Sequence, residues 1–324
     1  METSIKYYNE GILSGDRVAL SRAITLVESK LPEHQQIAEH LIESILPQTG
    51  KSFRIGITGV PGVGKSTFID AFGTYLTQQG KKVAVLSIDP SSTKSRGSIL
   101  GDKTRMERLS KDPLAYVRPS PSANHLGGVA QKTRESILLC EAAGYEIIIV
   151  ETVGVGQSET TVRDLVDFFL LLMLAGGGDE LQGIKRGIME MADMLLINKV
   201  DGDNLKAGQL AKKEYQRALH LFPKNENNWQ VPVETISALS LDGMPTIWQQ
   251  MTDYLKLTQT NGWLDKLRIE QKIKWLTEAL RIKLEDQFYQ RSGAKDQLQA
   301  LQNKIASDEI SIRAAVNQLL DRSE

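Results

Sequence analysis

The sequence of 324 residues has almost no cysteine, no excess of charge of either sign and no long hydrophobic run. Its single cysteine, Cys140, cannot form a disulfide within the chain, which fits a reducing cytoplasm. A formal net charge of −1 provides no overall field to attract nucleic acid or an anionic membrane. The most apolar run, 168–175, is too short to span a bilayer, and the N-terminus lacks a signal-peptide pattern. We therefore expect a cytoplasmic protein with no membrane or nucleic-acid partner.

The spacing of apolar residues divides the chain into three regions. Residues 1–50 carry apolar side chains three and four positions apart, which predicts an N-terminal helical region. Residues 51–258 alternate short apolar runs with amphipathic segments, which predicts an α/β fold with a mostly parallel sheet flanked by helices. Residues 259–324 contain no strand candidate and have helical spacing on both sides of a break at Ser292–Gly293. We predict a helical hairpin there, whose apolar face either covers the chain's own core or forms a dimer contact.

Six apolar runs of the central region are predicted to be strands, with amphipathic helices between them. The strands are expected at 53–58, 83–88, 147–151, 168–174, 194–198 and 231–236, and the helices include 65–79, 128–143 and 205–221. In an open α/β sheet, ligands bind beyond the carboxyl ends of the strands. The residues that follow these runs are therefore the first candidates for a site.

The segment Gly59-Val-Pro-Gly-Val-Gly-Lys-Ser66 matches the pattern G-x-x-x-x-G-K-[ST] between a strand-like run and a helix-like segment. This arrangement predicts a phosphate-binding loop (P-loop), whose glycines let backbone N–H groups point at phosphate oxygens. We expect Lys65 to place its charge on the β and γ phosphates of a nucleotide, and Ser66 to offer a hydroxyl to Mg²⁺. The expected nucleotide contacts in this part are Gly59, Gly62, Val63, Gly64, Lys65, Ser66 and Thr67.

Three acidic residues are candidates to bind the same Mg²⁺, because this ion prefers oxygen ligands. Asp89 and Glu151 close predicted strands, and Asp102 lies in the loop after Gly97. Each could instead be a solvated loop carboxylate, although acids at strand carboxyl ends lie on the ligand side of the sheet. We predict a Mg²⁺ site formed by Ser66, Asp89, Asp102 and Glu151.

The tetrapeptide Glu151-Thr-Val-Gly154 has the spacing of the D-x-x-G switch element of GTPases. In such an element, the N–H of Gly154 would contact the γ phosphate and release it on hydrolysis. Gln157, in the glycine-rich run that follows, either orients the attacking water or faces solvent.

The tetrapeptide Asn198-Lys-Val-Asp201 ends a predicted strand and fits N-K-x-D, the element that reads guanine. The Asp201 carboxylate can accept hydrogen bonds from guanine N1–H and the 2-amino group, Lys199 can lie over the base, and Asn198 can tie this loop to the P-loop. Ser237-Ala238-Leu239 follows a later strand, where a backbone N–H can meet guanine O6. The order of these motifs predicts a GTPase.

Taken together, these motifs and the segments around them resemble the MeaB/ArgK family of GTPases, which are chaperones of adenosylcobalamin-dependent methylmalonyl-CoA mutase. The resemblance rests on the segments GITGVPGVGKST, VLSIDPSS, GSILGDKTRM, LGGVAQKTRE, IIIVETVGVGQSE, GDELQGIKRGIMEMAD and NKVDGDN. It is dense from 11 to 204 and thin after 260. It implies a homodimer held by C-terminal helices, Mg²⁺ ligation near the four residues named above, and a third switch at about 179–187 that couples nucleotide state to the mutase.

The expected function is therefore Mg²⁺-dependent GTP hydrolysis by a chaperone of an adenosylcobalamin-dependent acyl-CoA mutase, most simply methylmalonyl-CoA mutase. The expected catalytic residues are Lys65, Glu151 and Lys185, the last one swinging into the site when the mutase binds. Arg186 is the alternative to Lys185, and both could instead be solvent-facing charges. The alternative function is that of a nickel-insertion GTPase or of another P-loop GTPase regulator. One cysteine and four histidines, none at metal-ligand spacing, argue against nickel insertion.

Overall fold

A seven-stranded parallel sheet forms the centre of the protein, with the strand order β3-β2-β4-β1-β5-β6-β7. The computed structural model describes residues 2–88, 106–118, 126–152, 158–175, 186–223, 225–239, 241 and 243–320. The strands are β1 (Phe53–Gly59), β2 (Val83–Ile88), β3 (Ala115–Arg118), β4 (Ile147–Thr152), β5 (Phe168–Leu174), β6 (Met194–Asn198) and β7 (Val233–Thr235). The predicted α/β fold is confirmed, and all the described strand pairs are parallel.

Thirteen α-helices within the described residues precede, cover and follow the sheet. They are α1 (Glu2–Leu13), α2 (Arg17–Glu28), α3 (Pro32–Ile45), α4 (Lys65–Gln78), α5 (Glu107–Lys111), α6 (Leu126–Ala142), α7 (Ser158–Arg163), α8 (Arg186–Glu190), α9 (Leu205–Leu219), α10 (Met244–Thr260), α11 (Trp263–Gln290), α12 (Ala294–Ala306) and α13 (Ile312–Leu320). The predicted N-terminal helical region comprises α1, α2 and α3, which pack on one another and on α6.

The central strand β1 lies between β4 and β5, and it is buried along its whole length. Gly56 in this strand has no room for a side chain, because a Cβ there would lie 2.8 Å from Val162 and 2.9 Å from Val166. The absence of a side chain thus lets α7 and the turn after it sit directly on the sheet. Since β1 also leads into the glycine-rich loop, this packing holds in place the strand from which the loop begins.

Three elements differ from the sequence-based prediction. The short strand β3 was not predicted, because four residues are too few for a periodic pattern. The last strand begins at Val233 rather than at 231, since Pro232 has no N–H to donate, although its carbonyl accepts from Leu195. The C-terminal region contains a third helix, α13, after a turn in which Asp308 adopts a φ of 56°.

The chain forms two compact units, Met1–Gln271 and Lys272–Glu324. The first unit contains the sheet and the helices from α1 to α10. The second contains the larger part of α11 together with α12 and α13, which pack on each other. No helix within the described residues combines the length and the apolar character that crossing a bilayer requires.

Candidate nucleotide-binding site

The glycine-rich loop joins the carboxyl end of β1 to the first turn of α4. Gly62 and Gly64 have φ values of 76° and 91°, a region that residues with a side chain rarely adopt. At Gly59 the constraint is a contact, since a Cβ there would lie 2.4 Å from the carbonyl oxygen of Leu172 on β5. The loop therefore has the tightly curled backbone with which N–H groups can surround a phosphate.

Lys65 begins α4 and directs its ammonium back toward the loop. Its Nζ donates hydrogen bonds to the carbonyl oxygens of Gly59, at 2.9 Å, and Val60, at 3.3 Å. Burial lowers the pKa of Lys65, while the negative charges of Glu151 and Glu159 oppose that shift. A cation is thus held by backbone carbonyls at the place where phosphate oxygens would arrive.

Two of the four predicted Mg²⁺ ligands, Ser66 and Glu151, lie side by side. Ser66 Oγ donates to Glu151 Oε1 over 3.1 Å, from the first turn of α4 to the end of β4. Glu151 is only 3% exposed. A hydroxyl and a carboxylate are oxygen donors of the type that Mg²⁺ prefers, so the pair fits this ion. The other two predicted ligands, Asp89 and Asp102, lie outside the described residues, and the described part of the chain holds no cluster of three or more His, Cys, Asp or Glu side chains suited to a metal.

The loop that follows β6 is attached to the P-loop by two side-chain hydrogen bonds. Asn198 Nδ2 donates to the carbonyl oxygen of Val63 over 2.7 Å, and Lys199 Nζ donates to that of Gly62 over 2.8 Å. Gly64 permits this approach, because a Cβ there would lie 2.9 Å from Asn198 Nδ2. The predicted base-reading and phosphate-binding segments therefore form one continuous structure.

The segment that follows β7 closes on the same loop. Ser237 Oγ donates to Asp201 Oδ2 over 2.6 Å, and the Ala238 N–H donates to Asn198 Oδ1 over 3.3 Å. Leu239, the third residue of this predicted segment, is 80% exposed. The Asp201 carboxylate is thus oriented by a hydroxyl through one of its oxygens, and Asn198 joins three separate segments.

The remaining predicted residues divide into two groups. Thr67 is described, and it is exposed on the first turn of α4. Gly154, Gln157 and Lys185 lie outside the described residues, as do most of the predicted third switch at 179–187. Their roles stay predictions.

Asp70 is a residue of this region that motif reasoning misses. It lies one turn after Ser66, is 6% exposed, and accepts hydrogen bonds from the Leu109 N–H at 2.9 Å and from Arg108 Nε at 2.8 Å. It thereby ties α5 to the helix that begins at the P-loop. The signal in the sequence is an aspartate between Ile69 and Phe72 on an apolar helix face, because a buried acid needs partners.

A parallel sheet whose central strand leads into a glycine-rich loop, with a separate Asn-Lys-x-Asp loop bonded to that loop, defines a P-loop GTPase. The sequence model described as "Methylmalonyl Co-A mutase-associated GTPase MeaB" matches residues 20–293. The chain belongs to this family, and it is therefore a GTPase that binds guanine nucleotide.

Individual relatives agree with this assignment. The chain is 50% identical over 262 residues to GTPase ArgK of Escherichia coli, covering 81% of this chain and 79% of the relative. It is 43% identical over 320 residues to the mitochondrial methylmalonic aciduria type A homolog of Mus musculus, covering 96% and 77%. A crystal structure described as that of an LAO/AO transport system kinase matches with a TM-score of 0.79 and 37% identity, covering 99% of this chain and 98% of the other.

Proposed function

We propose that this GTPase regulates an adenosylcobalamin-dependent acyl-CoA mutase, with methylmalonyl-CoA mutase as the first candidate. In this proposal, nucleotide state gates cofactor loading, and the GTPase protects or reactivates the mutase. The proposed binding of guanine nucleotide is supported by the hydrogen bond from Asn198 to Val63, which joins the base-reading and phosphate-binding segments. The name of the family supports the choice of mutase.

Guanine recognition is assigned to the segments after β6 and β7. Asp201, oriented by Ser237, accepts hydrogen bonds from guanine N1–H and the 2-amino group. Lys199 lies over the base, and a backbone N–H of 237–239 meets guanine O6. Adenine has no donors at the matching positions, and a site built to hydrogen-bond a group rejects analogues that lack it by roughly 10⁴–10⁵.

Phosphate binding is assigned to the P-loop and the groups beside it. Backbone N–H groups and Lys65 hold the β and γ phosphates, and Gly154 reads the presence of the γ phosphate. Ser66 and Glu151, with Asp89 and Asp102, would hold Mg²⁺. When bound, this ion neutralises charge on the phosphate oxygens.

Hydrolysis is expected to be slow in the isolated protein and faster with the mutase. The P-loop contains no arginine that could stabilise the charge of the transition state. In other GTPases, an ordered cation with that role, an arginine finger, raises the rate by about 10³–10⁵. We propose that mutase binding orders the segment 179–187 and brings Lys185 to the nucleotide. Arg186 is the alternative cation.

The test is steady-state GTP hydrolysis with and without methylmalonyl-CoA mutase, for the wild type and for Lys185→Ala. The wild type should be stimulated, Lys185→Ala much less, and the exposed Lys213→Ala should behave as the wild type. No stimulation of the wild type would refute the proposed coupling. Full stimulation of Lys185→Ala would remove this lysine from the mechanism and leave Arg186 to be tested in the same way.

The alternative, nickel insertion, finds no support in the described residues. Cys140, the only thiol, is buried, and burial raises its pKa above the usual range. A buried neutral thiol is a poor metal ligand, because the thiolate is the form that binds metals.

A further inference from the structure

A cleft lies apart from the P-loop, between the N-terminal helices and the end of β3. Its volume is about 540 Å³, and among its lining residues are Tyr8 of α1, Arg17, Arg22 and Thr25 of α2, His34 of α3, and Arg118 of β3. Ligand sites for small organic molecules are commonly of about 300–1,000 Å³, so the space suits such a ligand. None of the residues that the nucleotide motifs single out lines this cleft.

Three guanidinium groups line the cleft, and only one of them is paired with a carboxylate in the described part of the chain. Arg118 Nη2 donates to Glu28 over 2.5 Å and to Thr25 Oγ1 over 3.2 Å. The other two donate to neutral oxygens: Arg22 to the Tyr7 hydroxyl over 3.1 Å, and Arg17 to a backbone carbonyl over 3.4 Å. Arg17 and Arg22 are both exposed, so each keeps N–H donors for a ligand.

Further positive charge lies next to Glu28, the carboxylate that pairs with Arg118. Lys132 Nζ donates to the backbone carbonyl of Glu28. Burial lowers the pKa of Lys132, the nearby charge of Lys30 lowers it further, and Glu28 and Glu135 oppose the shift. Lys30 and Lys132 therefore add positive charge next to the partner of Arg118, and an anion bound nearby would reduce the repulsion between these cations.

The remaining lining is suited to the organic part of a ligand. Val18 and Leu26 contribute apolar surface, and Tyr8 contributes an aromatic ring with a hydroxyl. Guanidinium forks match the geometry of phosphoryl oxygens. We propose that this cleft binds a phosphate-bearing small molecule, with Arg17 and Arg22 holding its phosphoryl group.

The experiment must separate this cleft from the P-loop, which binds phosphates as well. The protein is first saturated with GDP and Mg²⁺, and phenyl phosphate is then titrated in by calorimetry at about 0.15 M salt, where weak surface attraction is screened. We expect saturable binding at one additional site per chain. The double substitution Arg17→Gln, Arg22→Gln should weaken it at least about tenfold, since each charge-assisted contact is worth about that factor or more.

The matched control is Arg217→Gln, an exposed arginine on α9 outside the cleft, which should bind as the wild type does. Thermal unfolding and GDP affinity should be unchanged in all variants, and Arg22→Gln alone serves if the double variant is unstable. Binding that does not saturate, or that survives loss of both arginines, would overturn the proposal. So would a glutamate-rich peptide that saturates the cleft when phenyl phosphate does not, because the occupant would then be a protein segment.

Discussion

At the scale of single residues, Asp201 is expected to decide which base the protein accepts. In Asp201→Asn, the carboxylate that receives guanine N1–H and the 2-amino group becomes an amide. The loss of two charge-assisted hydrogen bonds should weaken GTP binding by about 100-fold or more, and xanthosine triphosphate should bind better than GTP. Competition binding in Mg²⁺ buffer measures both. Asp203→Asn, two residues later and exposed, is the control, and an unchanged preference in Asp201→Asn would refute this role.

Lys65 is expected to bind the phosphates of the nucleotide and to lower the stability of the nucleotide-free protein. Burial lowers its pKa in the folded protein, so folding disfavours the charged form. That penalty is present at neutral pH, begins to fall as the pH rises through the lowered pKa of the folded protein, and is gone above the unfolded value of about 10.4. Lys65→Met should therefore lose nucleotide binding while its midpoint of thermal unfolding without nucleotide stays the same or rises. Lys51→Met, an exposed lysine before β1, should change neither, and a clearly less stable Lys65→Met would contradict the argument.

At the scale of elements, one arginine in the first turns of α11 bonds to the residues that directly precede β1 and β5. Arg268 donates to both oxygens of Asp167, at 2.8 and 2.7 Å, and to the carbonyl oxygens of Gly50 and Ser52. Asp167 is fully buried and also accepts from the Arg54 N–H. The start of α11 is therefore part of the structure that supports the P-loop strand.

Arg268→Ala should destabilise the protein by about 3–5 kcal/mol, because it leaves a buried carboxylate without its charged partner. Urea unfolding of the nucleotide-free protein measures the change. Arg281→Ala is the control, since that arginine pairs with Glu278 on an exposed helix surface, and its loss should leave the stability close to that of the wild type. Equal stability of the two variants would show that Arg268 is not an anchor.

At the scale of the whole molecule, we expect a homodimer formed through the second compact unit. Ile273, Leu276, Leu280 and Leu284 recur along one face of α11, and each is more than half exposed. An apolar face of this size is typical of an interface. Leu280→Lys should give a monomer that still binds GTP, whereas Leu210→Lys, at an exposed leucine of α9, should leave the dimer intact. Sedimentation at micromolar concentration tests both, and a monomeric wild type would refute the prediction.

The contacts of Arg268 and Gln271 also predict where the chain can be truncated without loss of the fold. A protein that ends at Gln271 keeps Arg268 with Asp167 and the bond from Gln271 Nε2 to the Val166 carbonyl, which measures 2.8 Å. It should fold, bind GTP and be monomeric. A cut before 263 would remove both anchors and should give a less stable protein.

Much of the nucleotide site follows from the sequence, because its parts are short contiguous segments at strand ends. Gly59–Ser66 must curl where it does, since Gly62 and Gly64 permit positive φ and a buried strand precedes them. The strands from β1 to β6, except β3, have enough apolar residues to be recognised. By contrast, β3 is too short to show a pattern, and the exact start of the last strand depends on a proline that still accepts a hydrogen bond.

The sequence by itself determined the class of fold, the position of the P-loop and the identity of the base-reading tetrapeptide, because these depend on neighbouring residues. The tertiary structure alone decided which distant groups meet. Asn198 bonds to Val63 across 135 positions, Asp70 to Leu109 across 39, and Arg268 to Asp167 across 101. The arginine-lined cleft likewise joins three helices and a strand end. Such contacts depend on how helices and strands pack in three dimensions, and hydrophobic periodicity specifies which face is buried but not which polar groups then come together.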